Sequence, residues 1–141
     1  MELAEVAGGE LAEAFALIVR KSFGLPEGMD PVLARAPGRG WRCWVALDGD
    51  EPAGAAALYA AEGVGYLGLA GTLPEHRGKG AQSALLAARI RLAAEQGATR
   101  VTTETGVREP GRPDRSYRNI LRAGFEEVAV RANWLRQRQT G

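Results

Sequence analysis

The sequence predicts an α/β fold in which a mixed, mostly antiparallel central sheet is flanked by helices, and three observations support this class. The chain has 141 residues, the usual length of one domain. Successive segments in its middle part have the alternation or the composition of strands. Segments with helical spacing of apolar residues lie before and after them. We therefore expect a single domain over residues 1–141.

Two helices are expected before the strands. The first ends before Gly24, a residue that often follows a helix C-terminus, and its apolar stripe has helical spacing at Leu11, Phe15 and Ile18. Asp30 followed by proline is typical of a helix start, so a short second helix is expected over residues 32–36. Residues 2–7 are too few to assign.

Three antiparallel strands are expected next, over residues 41–47, 53–59 and 64–70. The Asp48-Gly49 pair between the first two is a strong hairpin signal. The third strand is rich in small residues, which indicates that another group approaches its backbone closely: Gly65, Gly68 and Ala70.

The second half of the chain contains the clearest helix, residues 81–96, whose polar positions are expected to face water: Arg89, Arg91 and Glu95. Strand-forming residues follow at 101–105. A helix over residues 114–123 and a last strand over residues 125–134 complete the expected order, with a frayed tail over residues 135–141.

Charge and composition exclude several classes of protein. The 18 basic residues nearly balance the 17 acidic ones, and a net charge of +1 argues against a nucleic-acid coat. The single cysteine, Cys43, allows no internal disulfide, and one His with one Cys argues against an all-protein zinc site. No apolar run approaches the ~20 residues of a membrane span. We expect a cytoplasmic protein without a metal, a membrane or a nucleic-acid partner.

A polar, glycine-rich loop over residues 71–80 leads directly into the helix at residue 81. The first turn of a helix has unpaired N–H groups and a partial positive charge, which together bind phosphate. Gly78 and Gly80 allow the backbone to curve around an anion, and Arg77 and Lys79 add positive charge. The loop therefore predicts a phosphorylated small-molecule ligand; the alternative is a surface turn with solvated basic side chains.

Two common phosphate-binding patterns do not match this loop. In a Walker sequence the lysine is followed by Ser or Thr, whereas Lys79 is followed by Gly80. The dinucleotide fingerprint requires a third glycine where this chain has Ser83, and it opens a βαβ unit rather than following antiparallel strands.

Residues 74–86 resemble the acyl-CoA loop of the GCN5-related N-acetyltransferases (GNAT), whose pattern is Gln/Arg-x-x-Gly-x-Gly/Ala. Arg77 and Gly80 occupy its first two fixed places, and Gln82 departs from the third. Residues 119–125 resemble the family's later helix, which ends in a Gly-Phe step, and the expected element order matches over nearly the whole chain. The resemblance implies acetyl-CoA as donor, an amine as acceptor and a GNAT-like fold.

In such proteins the strand of residues 64–70 separates from that of residues 99–105, and the pantetheine arm of CoA pairs with the exposed backbone. A backbone N–H near Leu69 or Ala70 then polarises the thioester carbonyl. The cofactor-binding residues that the resemblance implies are Leu69, Ala70, Thr72, Arg77, Gly78, Lys79, Gly80, Ala81, Gln82, Ser83 and Asn119.

The candidate catalytic residues are Glu104 as general base, directly or through water, and Tyr117 as general acid. The family often places its acid tyrosine where this chain has Ile120, and Tyr117 lies one helical turn earlier. The alternatives are that the CoA thiolate leaves unassisted or takes a proton from water, that Glu104 faces water or an arginine, and that Tyr117 packs. His76 is expected to be an exposed loop residue.

The resemblance predicts an N-acetyltransferase that acts by direct attack in a ternary complex. A small-molecule amine is favoured over a protein as acceptor, bound by the region from Phe23 to Arg39. The alternative, which Ile120 motivates, is a non-catalytic acyl-CoA-binding or sensor module with the same fold. Dimerisation through an edge strand is a further expectation.

Overall fold

The structure, a computed structural model, describes residues 1–105, 111 and 114–132. The chain divides into two compact units, Met1–Thr105 and Gly106–Gly141, which are described separately. The assignment of residues 1–141 to one domain stays a prediction.

A five-stranded sheet organises the first unit, with its strands side by side in the order in which they occur along the chain. The first four strands are antiparallel to their neighbours, and the fifth is parallel to the fourth. This confirms the mixed, mostly antiparallel sheet and adds a first strand that the sequence left unassigned. The strands are β1 Glu2–Glu5, β2 Arg42–Asp48, β3 Glu51–Ala61, β4 Val64–Thr72 and β5 Arg100–Thr103.

Three α-helices belong to the same unit: α1 Gly9–Phe23, α2 Asp30–Ala34 and α3 Ala81–Glu95. Gly24 follows α1 as the sequence predicted, and it adopts the left-handed conformation. Short 3-10 turns occur at Glu27–Met29, Ala36–Arg39 and Pro74–His76, so the chain continues to turn beyond α2 through the Pro37-Gly38 step.

The sheet lies between α1 and α3 because alternate residues of β3 point to opposite faces. On one face Ala55 and Ala57 join the core cluster around Phe15 and Ile18 of α1. On the other face Gly54 lies against α3, where a Cβ would be 3.3 Å from that of Ala81. Small residues on β3 therefore let both helices approach the sheet closely, and this places the N-terminus of α3 beside β4.

The second unit contains one described helix, α4, over Arg115–Arg122. Asp114 is its N-cap residue, and the Asp114 carboxylate accepts a hydrogen bond from Arg118 Nε at 2.7 Å. The strand expected over residues 125–134 is wrong for residues 125–132, which adopt no regular secondary structure. An apolar stretch becomes a strand only where another strand pairs with it, and Val128 is 92% exposed. Residues 133 and 134 and the predicted tail lie outside the described residues.

Candidate functional site

β4 contains a bulge at its centre. Gly68 pairs with Ala57 of β3 and Gly71 with Ala55, so that β4 has one more residue than β3 between these two pairs. Leu69, inside the bulge, has a φ of 50°, a left-handed conformation that a leucine rarely adopts. Such strain persists only where the surrounding structure enforces it, and it is concentrated at functional sites.

β5 separates from β4 next to this bulge. The parallel pairing runs from Val64 opposite Arg100 to Leu67 opposite Thr103 and then stops. At the point of separation Thr103 Oγ1 donates to the Leu67 carbonyl oxygen at 3.0 Å. Beyond it, residues 68–72 of β4 have no strand partner on that side among the described residues. Within the part of the chain that the structure describes, the edge of β4 is therefore open where its backbone is bulged.

The glycine-rich loop connects the end of β4 to α3. Gly78 and Gly80 have φ angles of 78° and 88°, which favour glycine, and Gly80 is the N-cap of α3 with no side-chain capping bond. The first N–H groups of α3 consequently have no partner from the helix itself. Arg77 and Lys79 are exposed beside them. This arrangement has the features of an anion site at a helix N-terminus.

Two side chains tie this loop to the turn between β2 and β3. His76 Nδ1 donates to Asp48 Oδ2 at 2.9 Å, and Lys79 Nζ donates to the same oxygen at 2.6 Å. The hydrogen bond from Lys79, followed by that from His76, lowers the pKa of Asp48. The expectation that His76 is exposed is wrong: it is 7% exposed. Its two ring nitrogens face carboxylates of the hairpin, Asp48 at Nδ1 and Glu51 at Nε2, with Glu51 Oε2 3.6 Å away.

Arg89 of α3, expected to face water, is instead 3% exposed. Its Nε donates to the carbonyl oxygen of Leu85 at 3.1 Å. Its Nη1 donates to Ala57 O at 3.1 Å, with a longer contact to Gly68 O at 3.5 Å. Burial lowers the pKa of this guanidinium to about 10, so it is still charged at neutral pH. The helix places Arg89 against the sheet, where carbonyl groups next to the bulge replace water as its partners.

An aromatic cluster covers the other side of Gly68. Trp41 lies 5.4 Å from Tyr59 and 5.8 Å from Tyr66 between ring centroids. A Cβ at position 68 would be 2.8 Å from Tyr66 Cε1 and 3.3 Å from the Trp41 ring, so a larger residue there would displace the Tyr66 ring. Gly68, one of the small residues predicted to allow a close approach to this strand, thus has a defined neighbour in the structure.

The two candidate catalytic residues lie in different units. Glu104 is exposed and follows the last residue of β5, immediately after the strands separate. Tyr117 lies on α4 of the second unit, where its hydroxyl donates to Glu127 Oε2 at 2.9 Å, and Asn119 lies two residues further along the same helix. Their roles stay predictions.

Other expectations concern metals, membranes and cysteine chemistry. Cys43 is fully buried, and burial, with a smaller effect of Glu5, raises its pKa to about 12. Within the described part of the chain, His, Cys, Asp and Glu residues form no group of three suited to holding a metal ion. The helices described there are also too short or too polar to cross a bilayer.

Comparison with known proteins gives one family. The model of the acetyltransferase (GNAT) family matches residues 12–114. No curated protein sequence matches the chain.

Solved structures of similar fold include several acetyltransferases. AAC(6')-Iy, solved with a bisubstrate analogue of CoA and acetylneamine, is 18% identical, with a TM-score of 0.74 and coverage of 98% of this chain and 99% of that one. The aminoglycoside 6'-N-acetyltransferase AAC(6')-Ig of Acinetobacter haemolyticus is 13% identical, with a TM-score of 0.76 and coverage of 99% and 100%. A predicted acetyltransferase of Clostridium acetobutylicum, solved with acetyl-CoA, is 15% identical, with a TM-score of 0.71 and coverage of 97% and 95%. At these identities the likeness shows a shared fold.

Proposed function

This chain belongs to the GNAT family of acetyltransferases, and from that premise we propose that it transfers the acetyl group of acetyl-CoA to a primary amine. The amine attacks the thioester directly while donor and acceptor are both bound. Acetyl-CoA supplies the activated acetyl group and is a substrate of the reaction. No metal takes part in the proposed reaction.

The observation that carries this proposal is the open edge of β4 beside the glycine-rich loop. Residues 68–72 extend past the last pair with β5, and the following loop leads into the N-terminus of α3. CoA has a diphosphate suited to such a loop and an extended arm with amide groups suited to a strand edge. One continuous stretch, residues 68–83, therefore offers both kinds of partner that the donor needs.

We assign donor binding to this stretch. The backbone N–H groups of the loop and of the first turn of α3 bind the diphosphate, and Arg77 and Lys79 contribute charge. The edge of β4 binds the arm, and the N–H of Leu69 or Ala70 polarises the thioester carbonyl. The residues proposed to contact the donor are Leu69, Ala70, Thr72, Arg77, Gly78, Lys79, Gly80, Ala81, Gln82 and Ser83, with Asn119 added from the resemblance to the family.

The chemistry requires two proton movements. A bond forms between the amine nitrogen and the carbonyl carbon, and the carbon–sulfur bond breaks, leaving an N-acetylated amine and the thiol of CoA. An amine with a pKa near ~10 is protonated at neutral pH, so a base must first remove one proton. The amine loses a second proton on acylation, and the sulfur gains one.

We propose Glu104 as the base, acting directly or through water, because it follows β5 where the open edge of β4 begins. Tyr117 is proposed as the acid on the basis of its place in the sequence. If Tyr117 does not act, water supplies the proton to the thiolate.

A small-molecule amine is the proposed acceptor. Support comes from the similar structures, one of which is named as an aminoglycoside 6'-N-acetyltransferase. We place the acceptor beside the region of residues 23–39, as the resemblance to the family suggests.

The first experiment measures donor binding. Acetyl-CoA at about 100 times its dissociation constant should raise the free energy of unfolding by ~2.7 kcal/mol, which a thermal-shift assay detects. Adenosine, which lacks the diphosphate and the arm, is the control ligand. Absence of stabilisation by acetyl-CoA would contradict the proposed function.

The second experiment measures turnover as thiol release from acetyl-CoA with a panel of small amines. Glu104→Gln should lower kcat by about 10²-fold or more, without changing stabilisation by acetyl-CoA. Glu13→Gln, at an exposed position of α1, is the matched control. Stabilisation by acetyl-CoA without thiol release from any amine would favour a non-catalytic acyl-CoA-binding or sensor module, which Ile120 also favours.

A further inference from the structure

Arg89 is a buried charge that neither the core nor the proposed donor contacts explain. Its guanidinium is 3% exposed, and no carboxylate in residues 1–105 lies within ion-pair distance of it. Transfer of an unpaired charge from water into a protein interior is unfavourable, and an apolar side chain of similar size usually fills such a space at least as well. A stability role alone therefore gives no reason for an arginine at this position.

The contacts of Arg89 converge on one place in the sheet. Nη1 lies 3.1 Å from Ala57 O and 3.5 Å from Gly68 O. Ala57 and Gly68 face each other as the last regular pair of β3 and β4 before the bulge. The charge thus lies at the start of the bulge, where the backbone leaves the regular ladder.

The peptide after Gly68 links this charge to the open edge of β4. Gly68 C=O and Leu69 N–H belong to the same planar, trans peptide group, in which the two bonds point in opposite directions. Because the carbonyl oxygen faces Arg89, the Leu69 N–H points away from it. A hydrogen bond or a positive charge at a carbonyl oxygen also polarises the amide, so that its N–H becomes a stronger donor.

We propose that Arg89 is a positioning residue for thioester activation, whose guanidinium orients and polarises the Gly68–Leu69 peptide so that the Leu69 N–H binds the acetyl carbonyl oxygen more strongly. This inference rests on the proposed function, since it requires acetyl-CoA at the edge of β4. Arg89 itself touches neither the donor nor the acceptor in this scheme. The charge is most useful when negative charge develops on the carbonyl oxygen during attack by the amine.

Infrared difference spectroscopy of bound acetyl-CoA, labelled with ¹³C at the thioester carbonyl, tests the inference without an acceptor. The carbonyl stretch should move to lower frequency when acetyl-CoA binds the parent protein. Arg89→Met and Arg89→Gln should both show a measurably smaller shift, because both remove the charge. Arg89→Lys should recover part of it. Arg89→Gln retains a side-chain N–H group as a donor for the Ala57 carbonyl oxygen. It therefore serves as the neutral variant if Arg89→Met does not fold.

The control separates polarisation from loss of packing. Leu85→Ala removes buried volume from the same helix, one turn before Arg89, at a side chain that is 2% exposed. It should lower the melting temperature and leave the carbonyl shift of bound acetyl-CoA at the parent value. CoA lacks the acetyl carbonyl, so the Arg89 variants should bind it nearly as the parent does. Its dissociation constant should change less than threefold, which corresponds to about 0.6 kcal/mol of binding free energy.

The outcomes distinguish the inference from the proposed function. If acetyl-CoA binds the parent and its carbonyl stretch shifts equally in the parent and in the neutral Arg89 variants, the inference is overturned. The proposed binding of the donor is then still supported. The same conclusion follows if the parent binds acetyl-CoA with no carbonyl shift. If the parent does not bind acetyl-CoA, the proposed function fails and the inference fails with it.

Discussion

Asp48 at the end of β2 accepts a 2.6 Å hydrogen bond from Lys79 of the glycine-rich loop, and these residues are 31 positions apart in the sequence. The same carboxylate oxygen accepts a hydrogen bond from His76, three residues before Lys79. The loop proposed to bind the diphosphate is thus held at two points by the turn between β2 and β3. We therefore expect the charge of this one carboxylate to couple the stability of the loop to the pH.

Asp48→Asn should lower the melting temperature at neutral pH, and the difference from the parent should disappear in acid. The hydrogen bonds from Lys79 and His76 hold the pKa of Asp48 below its usual value of 3.8. A lowered carboxyl pKa contributes stability that is present above the unfolded-state value and lost as the pH falls through the folded-state value. Melting curves of both proteins between about pH 2.5 and pH 6 measure this difference.

The control for this measurement is Asp50→Asn in the same turn. Asp50 is exposed and makes no hydrogen bond or ion pair within residues 1–105, so its substitution should leave the pH dependence unchanged. A melting-temperature difference for Asp48→Asn that is the same at about pH 3 and about pH 6 would exclude the charge of Asp48 as its cause.

Arg77→Met should weaken acetyl-CoA binding more than Lys79→Met does. Both side chains are exposed in the loop, but Lys79 already shares its charge with Asp48. Loss of a hydrogen bond to a charged group is worth ~1.5–3 kcal/mol, so the dissociation constant should rise roughly tenfold or more for Arg77→Met. Isothermal titration calorimetry at low and high salt measures it, with Arg91→Met on the exposed side of α3 as control. Equal dissociation constants of acetyl-CoA for Arg77→Met and Arg91→Met would show that Arg77 does not contribute to donor binding.

Cys43 should resist alkylation in the folded protein at about pH 8 and react completely after unfolding. The thiolate is the reactive form, and burial raises the pKa of this thiol to about 12. The side chain is also fully enclosed in the core beside α1. Mass spectrometry after treatment with iodoacetamide, with and without denaturant, measures the modified fraction. Rapid modification of the folded protein would place Cys43 in an accessible position and contradict its core assignment.

Gly65→Ala should destabilise the protein by ~1–3 kcal/mol. A Cβ at this position of β4 would lie 2.9 Å from the Cβ of Ala93, so α3 would have to move away from the sheet. The matched control is Gly28→Ala, because a Cβ there meets nothing within 4 Å and its φ is not in the left-handed region. Denaturant unfolding measures both. A neutral result for Gly65→Ala would show that α3 packs less closely on β4 than described.

The sequence predicted the elements whose conformation depends on residues that are close to one another in the chain. The alternation that identified β2, the Asp48-Gly49 turn and the helix expected over residues 81–96 are local patterns, and each agrees with the structure. The glycine-rich loop was predicted for the same reason, since its conformation depends on glycines within the loop. The first strand was not assigned because four residues carry too little pattern, and it exists because β2 pairs with it.

The burial of Arg89 and His76, by contrast, was not predicted. Helical spacing places Arg89 on the same face as Leu85 and Ala93, but its charge favoured solvent; the structure supplies carbonyl groups of β3 and β4 as its partners. His76 lies in a polar loop, and its partner in the hairpin turn is distant in the sequence. Residues 125–132 show the converse, since a strand-like composition forms no strand without a partner.

The sequence by itself determined the order of the central strands and helices and the place of the loop that was proposed to bind an acyl donor, because propensity, periodicity and turn chemistry act between near neighbours. Only the tertiary structure decided where β5 leaves β4, how the bulge holds Leu69 and which carbonyl groups receive the charge of Arg89. Those features depend on contacts between residues that are distant in the chain. The free energy of such a contact depends on which residue the fold brings next to which, and local sequence patterns do not contain this information.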